Sequence, residues 1–152
     1  MNINHAAELI CYTLQPMSES KTPNFYIKNI PIYGDTILAP MDGYSDWPFR
    51  SICRELGSAM SYTEFVKVEK ILSKSKEPAK RLFFKEPERP MTFQIYGEDP
   101  DLILKAALQI EKLNPDIIDL NMGCPAKTIA DRGAGVGMMP SPLKIARTFR
   151  KL

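Results

Sequence analysis

Between Ile37 and Leu152, apolar runs short enough to be strands alternate with stretches of helical period, and the pair repeats four times. The runs are Ile37-Leu38-Ala39, stopped by Pro40; Ala59 to Thr63, ending at Glu64; Met91 to Ile95; and Ile117 to Leu120, opened by Asp116 and broken at Asn121. A strand followed by a helix, again and again, leaves room for little except parallel strands with helices packed on them. The fold class is therefore α/β.

The helical stretches carry their own punctuation. After the first run, Ser45 or Asp46 is a helix cap with Pro48 in the opening turn. Phe49, Ile52, Cys53 and Leu56 then fall on one face, with Gly57 as a stop, and this spacing predicts a core face with Cys53 as a core thiol. A helix is predicted from about Val66 to Leu72, followed by the charged linker SKSKEPAKR. Asp99-Pro100 is a strong start for a third helix, whose face is Leu102, Ile103, Ala106, Ala107, Ile110 and Leu113, closed by Asn114-Pro115. Ser141-Pro142 opens a fourth, with Leu143, Ala146 and Phe149. Ahead of all this, residues 1–24 have no sustained period and end in SESKTPN. They read as a mobile N-terminal extension with room for a short helix around Ala6 to Cys11. Phe25 to Tyr33 alternates as one or two short strands, and Gly34-Asp35 makes a turn.

Each strand end carries a polar or special residue: Met41-Asp42, Glu64, Gln94, and Asn121 with Cys124. In a (β/α)8 barrel of the TIM type these would share the face where such proteins keep their sites. This chain would supply about the first four units over residues 25–152, leaving open strand edges. Cys124 stands between Gly123, which lets the backbone turn tightly, and Pro125, which stiffens the loop. Taken alone, that tetrad fits a loop cysteine without a role as well as a reactive one. The later GAGVG run does not open from a strand and lacks the spacing of a nucleotide fingerprint, so it reads as a flexible loop.

Composition narrows the chemistry. A formal net charge of +2 gives no argument for nucleic acid by itself. Cys11, Cys53 and Cys124 form no C-x-x-C pair, which speaks against a disulfide framework or a metal site and fits a reducing, cytoplasmic setting. The single histidine, His5, lies in the extension, far from a dyad with Cys124. No apolar run reaches membrane-spanning length, and the N-terminus resembles neither a secretory signal nor a transit peptide.

LAPMDGYSDWPFR, YTEF, QIYGEDP and NMGCPAKTIADRGAGVGMM, in this order and at these intervals, resemble the tRNA-dihydrouridine synthases. The resemblance implies an FMN-dependent TIM barrel that reduces uridine to dihydrouridine in tRNA, with NADPH or NADH as the reductant. It implies Cys124 as the acid that protonates C5 of the uracil while hydride reaches C6, Asn121 as a holder of the base, and Gln94 as a hydrogen-bond partner of the flavin. Pro40, Met41 and Asp42 would line the flavin ring through backbone contacts, with Asp42 standing where many members carry a small residue. An ordinary thiol is protonated at neutral pH and can serve as such an acid. The resemblance also implies parts that this chain does not carry: a lysine and a histidine near the flavin, the loops for the FMN phosphate, and a helical domain that grips tRNA. The expectation is thus a piece of a dihydrouridine synthase, weakly active or inactive alone, completed by a C-terminal fragment or associating with itself. A flavin barrel acting on a small molecule, and a non-catalytic self-associating half-barrel, are the alternatives.

Overall fold

The computed structural model describes residues 22–152 apart from Lys74. The expectations for residues 1–21, including a helix at Ala6 to Cys11 and any part for His5, lie outside the described residues. The first elements form a hairpin, β1 (Phe25–Ile27) antiparallel to β2 (Ile30–Ile32). Lys28 takes the left-handed conformation at its turn, φ 56°. Asn24 ties in the far end: its amide donates to the Ile32 carbonyl at 2.8 Å, and its side chain accepts from Gly34 N at 2.9 Å. Ile32 is buried with Ala59 and Met60 in a small core, against which Tyr62 and Ile117 also pack.

The main sheet is parallel, as the alternation requires, and β5 (Met91–Tyr96) is its centre. On one side β5 pairs with β6 (Ile117–Leu120), Gln94 opposite Asp119. On the other side it meets two short pieces in succession, β3 (Ser61–Tyr62) and β4 (Val66–Lys67). Between those pieces the chain stays attached through Thr63, whose amide donates to the Thr92 carbonyl and whose hydroxyl accepts from Gln94 N. The helix expected from Val66 therefore starts two residues later. It is α2 (Val68–Leu72), and Val66-Lys67 extends the interrupted strand instead.

The expected first strand, Ile37 to Ala39, forms no ladder. Its amide at Leu38 is taken by the Ser58 hydroxyl at 3.1 Å, and the link to its neighbour is Ala59 N to the Thr36 carbonyl at 2.8 Å. Three apolar residues before a proline, bonded to a side chain rather than to a strand, stay outside the sheet. The sheet is open and does not close into a barrel.

Helices cover one face of the sheet. In α4 (Pro100–Glu111) the Asp99 side chain caps Asp101 N and Leu102 N, and the predicted stripe of Ile103, Ala106, Ala107 and Ile110 is buried. Met91, Phe93 and Ile95 point into that layer together with Leu120 and Met138. α1 (Trp47–Glu55) begins as expected, Asp46 accepting from Phe49 N, but it overturns the face assigned to it. Phe49, Ile52 and Leu56 are exposed and Cys53 is half-buried. The buried residue is Arg50, whose Nε donates to Glu88 at 2.7 Å while its other nitrogens donate to the Ser45 and Phe83 carbonyls. A guanidinium with all these partners satisfied can replace an apolar side chain in a packed layer. α3 (Glu77–Arg81) follows the charged linker, α5 (Lys127–Ala130) the Cys124 loop, and α6 (Pro142–Lys151) packs on α4 through its Ile145 and Thr148 side, leaving Leu143 and Phe149 exposed. Among the described residues no helix is long and apolar enough to cross a membrane.

Candidate functional site

Residues two apart on a strand point to the same side, so the side opposite the helices receives Thr92 and Gln94 from β5 and Asp119 from β6, with Asn121 one step beyond. Polar residues on that side of otherwise apolar strands converge beyond the strand ends. The cleft there has a volume of about 400 Å³ and is lined by Pro40, Phe65, Gln94, Asp119, Leu120, Asn121, Met122, Gly123, Cys124 and Pro125. It lies at the C-terminal ends of parallel strands, where α/β proteins place ligands.

Asn121 organises the thiol loop. Its amide ends the ladder by donating to the Ile95 carbonyl at 2.8 Å. Its side-chain oxygen accepts from Gly123 N at 3.1 Å and Cys124 N at 2.9 Å, a turn built by the side chain on its own backbone. Its side-chain nitrogen donates to Gln94 Oε1 at 3.2 Å, and Gln94 Nε2 in turn donates to Asp119 at 2.7 Å. From the other side, the Cys124 carbonyl accepts from Val136 N at 3.1 Å.

That last contact corrects the reading of GAGVG as a flexible loop. Gly135 to Met138 forms a 3-10 turn, with Gly135 and Met138 buried. Gly135 has φ +54°, and a Cβ there would stand 2.7 Å from the Cys124 carbonyl oxygen. A Cβ on Gly137 would stand 2.1 Å from the Ala130 carbonyl. These glycines are there because backbone presses on backbone, not because the segment is loose.

The structure brings Pro40, Gln94, Asn121 and Cys124 together around one cleft. Met41 and Asp42 are not among its lining residues. The Met41 amide donates to the Ser45 hydroxyl, which donates back to the Met41 carbonyl, and the side chain is exposed. Asp42 forms an ion pair with Arg81, which also approaches Glu64 at 3.9 Å, and Glu64 accepts from Gly43 N. The loop is thus fastened by Ser45 and Glu64. Cys124 and Cys53 are free thiols, and Cys11 lies outside the described residues.

Sequence reasoning missed Asp119, Phe65 and Met122 as lining residues. For Asp119 a signal was present: a lone carboxylate inside the apolar run Ile117 to Leu120, two residues before Asn121, must share its face. Burial, and secondarily the charge of Asp119, push the Tyr62 phenol above its usual pKa. Among the described residues no group of side chains could hold a metal ion.

The site and its surroundings match known proteins. A family profile described as dihydrouridine synthase matches residues 37–152. The chain is similar to tRNA-dihydrouridine synthase B of Pseudomonas aeruginosa, 39% identical over 110 residues, which is 72% of this chain and 33% of that protein. A probable tRNA-dihydrouridine synthase of Aquifex aeolicus is 39% identical over 112 residues, 72% of this chain and 35% of its own length. With tRNA-dihydrouridine synthase B of Vibrio parahaemolyticus the identity is 34% over 130 residues, 86% of this chain and 39% of that protein. The chain thus spans about a third of the length of the curated relatives it matches.

Proposed function

The chain belongs to the dihydrouridine synthase family, and from that premise we propose that it carries the thiol side of a flavin site that reduces uridine in tRNA. The observation behind this reading is the joined wall of the cleft, where Gln94, Asn121 and the Cys124 loop are linked by side-chain hydrogen bonds. Pro40, Phe65 and Met122 give the same cleft apolar surfaces. Flat apolar walls with a polar edge suit an aromatic heterocycle, so the residues present fit the ring of FMN. Among the described lining residues there is no lysine or arginine to meet its phosphate.

Bound FMN, reduced by NADPH or NADH, would supply a hydride to C6 of the uracil. The chain's own residues do the rest. Cys124 would give its proton to C5, its backbone held by Asn121 on one side and Val136 on the other. Asn121 would keep one side-chain hydrogen for a base carbonyl, the other being given to Gln94. Pro40 would border the ring, with Met41 and Asp42 serving only to shape the turn behind it. The setting would be the cytoplasm, where tRNA is processed.

A flavin-fluorescence titration with FMN tests the reading. Binding is expected to be weak and substoichiometric on purification, and weaker still in Gln94→Ala. Equal titration curves for Gln94→Ala and the parent chain would overturn it. In the presence of NADPH and unmodified tRNA, any dihydrouridine formed should disappear in Cys124→Ala. The exposed apolar face of α1 favours a second reading, a half-barrel that associates with itself or with a complementary fragment. Sedimentation as a well-folded monomer would count against that.

A further inference from the structure

A carboxamide in a site is useful only when its two ends are told apart. Gln94 presents a donor end and an acceptor end of nearly the same shape, and a flip exchanges them. Its surroundings permit one orientation. The Asp119 carboxylate, 2.7 Å from Nε2, can only accept, so it requires the amide nitrogen on its side. The Asn121 nitrogen, 3.2 Å from Oε1, can only donate, and Asn121 is itself fixed because its oxygen accepts from two backbone amides. A flipped Gln94 would set oxygen against carboxylate and nitrogen against nitrogen.

We propose that Asp119 is a positioning residue that holds the Gln94 carboxamide in one orientation. The second Nε2 hydrogen then becomes a fixed donor for a carbonyl or ring nitrogen on the polar edge of a heterocycle in the cleft. The ligand part of this inference rests on the reading of the cleft as a flavin-ring site; the positioning part does not. Asp119 itself lines the cleft, yet its bond to Gln94 gives it an effect on the ligand without touching it.

Two variants separate this role from simple support of the fold. Asp119→Asn keeps the shape and removes the charge that forbids the flip. It is expected to leave the melting temperature nearly unchanged and to weaken FMN binding about tenfold, the scale of one charge-assisted hydrogen bond. The Gln94 side-chain amide signals in a nitrogen-15 spectrum, identified by their loss in Gln94→Glu, should shift in Asp119→Asn. Gln94→Glu alone brings two carboxylates together and should destabilise the chain. Adding Asp119→Asn restores a donor–acceptor pair and should recover stability without recovering FMN affinity, because the amide donor is gone. Unchanged Gln94 amide signals in Asp119→Asn would overturn the positioning role, and full FMN affinity in the double variant would overturn the donor role. If the parent chain shows no FMN binding at all, the flavin reading fails, and the amide signals alone decide for or against positioning.

Discussion

At the scale of single residues, Gly135 is the glycine pressed against the thiol loop. Its left-handed φ and its approach to the Cys124 carbonyl leave no room for a side chain. Gly135→Ala is expected to lower stability by roughly 1–3 kcal/mol and to displace the Cys124 loop. Denaturant titration and the rate of thiol modification by a disulfide reagent check both effects. Tyr62 reports on Asp119. Its phenol ionises above the ordinary value, mainly through burial and partly through the Asp119 charge. The proton is held more tightly in the folded state; its contribution is intact below about pH 10 and is lost as pH climbs through the folded pKa. In Asp119→Asn the phenolate absorbance, taken as the difference from Tyr62→Phe, should rise at lower pH than in the parent. An unchanged titration would mean that the two groups do not interact.

At the scale of elements, what could be read in advance was whatever depended on local chemistry. Asp99-Pro100 announced α4 because a carboxylate cap and a proline act within one turn, and the buried stripe followed from its period. Asp99→Ala should cost about 1 kcal/mol in a urea titration. The α1 face was misread because helical period locates an apolar stripe without saying which neighbour covers it. Arg50 is buried instead, and its partners come from Glu88, Phe83 and Ser45, none of which a local pattern can reveal. Arg50→Met is expected to destabilise the fold by about 3–5 kcal/mol, since it strands the Glu88 carboxylate. The double variant with Glu88→Met should be markedly less affected, and a urea midpoint for each shows whether the cost lies in the lone charge. The site divides the same way. Cys124, Asn121 and Gln94, named from their motifs, line one cleft, whereas Asp119, hinted at by its place in an apolar run, meets Gln94 only through the register of β5 on β6. Ile37 to Ala39 looked like a strand by composition, but pairing is a property of two chains and its amide went to Ser58.

At the scale of the whole molecule, the described residues make an open parallel sheet with helices on one side and a polar cleft at the strand ends. Phe49 and Ile52 on α1, Leu56 at its end, and Leu143 and Phe149 on α6 leave apolar surface uncovered at separate places. Purified chain should therefore associate in a concentration-dependent way, and Ile52→Glu with Leu56→Glu should shift sedimentation toward the monomer. If the pair of changes leaves the distribution alone, α1 is not the contact. The thiol loop is different in kind from these exposed faces. The Cys124 backbone is held from within residues 121–136 by the Asn121 turn, the Gly135 contact and the Val136 hydrogen bond. Closing so short a span is entropically cheap. The Cys124 backbone is thus set mainly by its own stretch of chain, and a change elsewhere in the fold should reach the thiol chiefly by way of Asn121 and its bonds to Gln94 and Ile95.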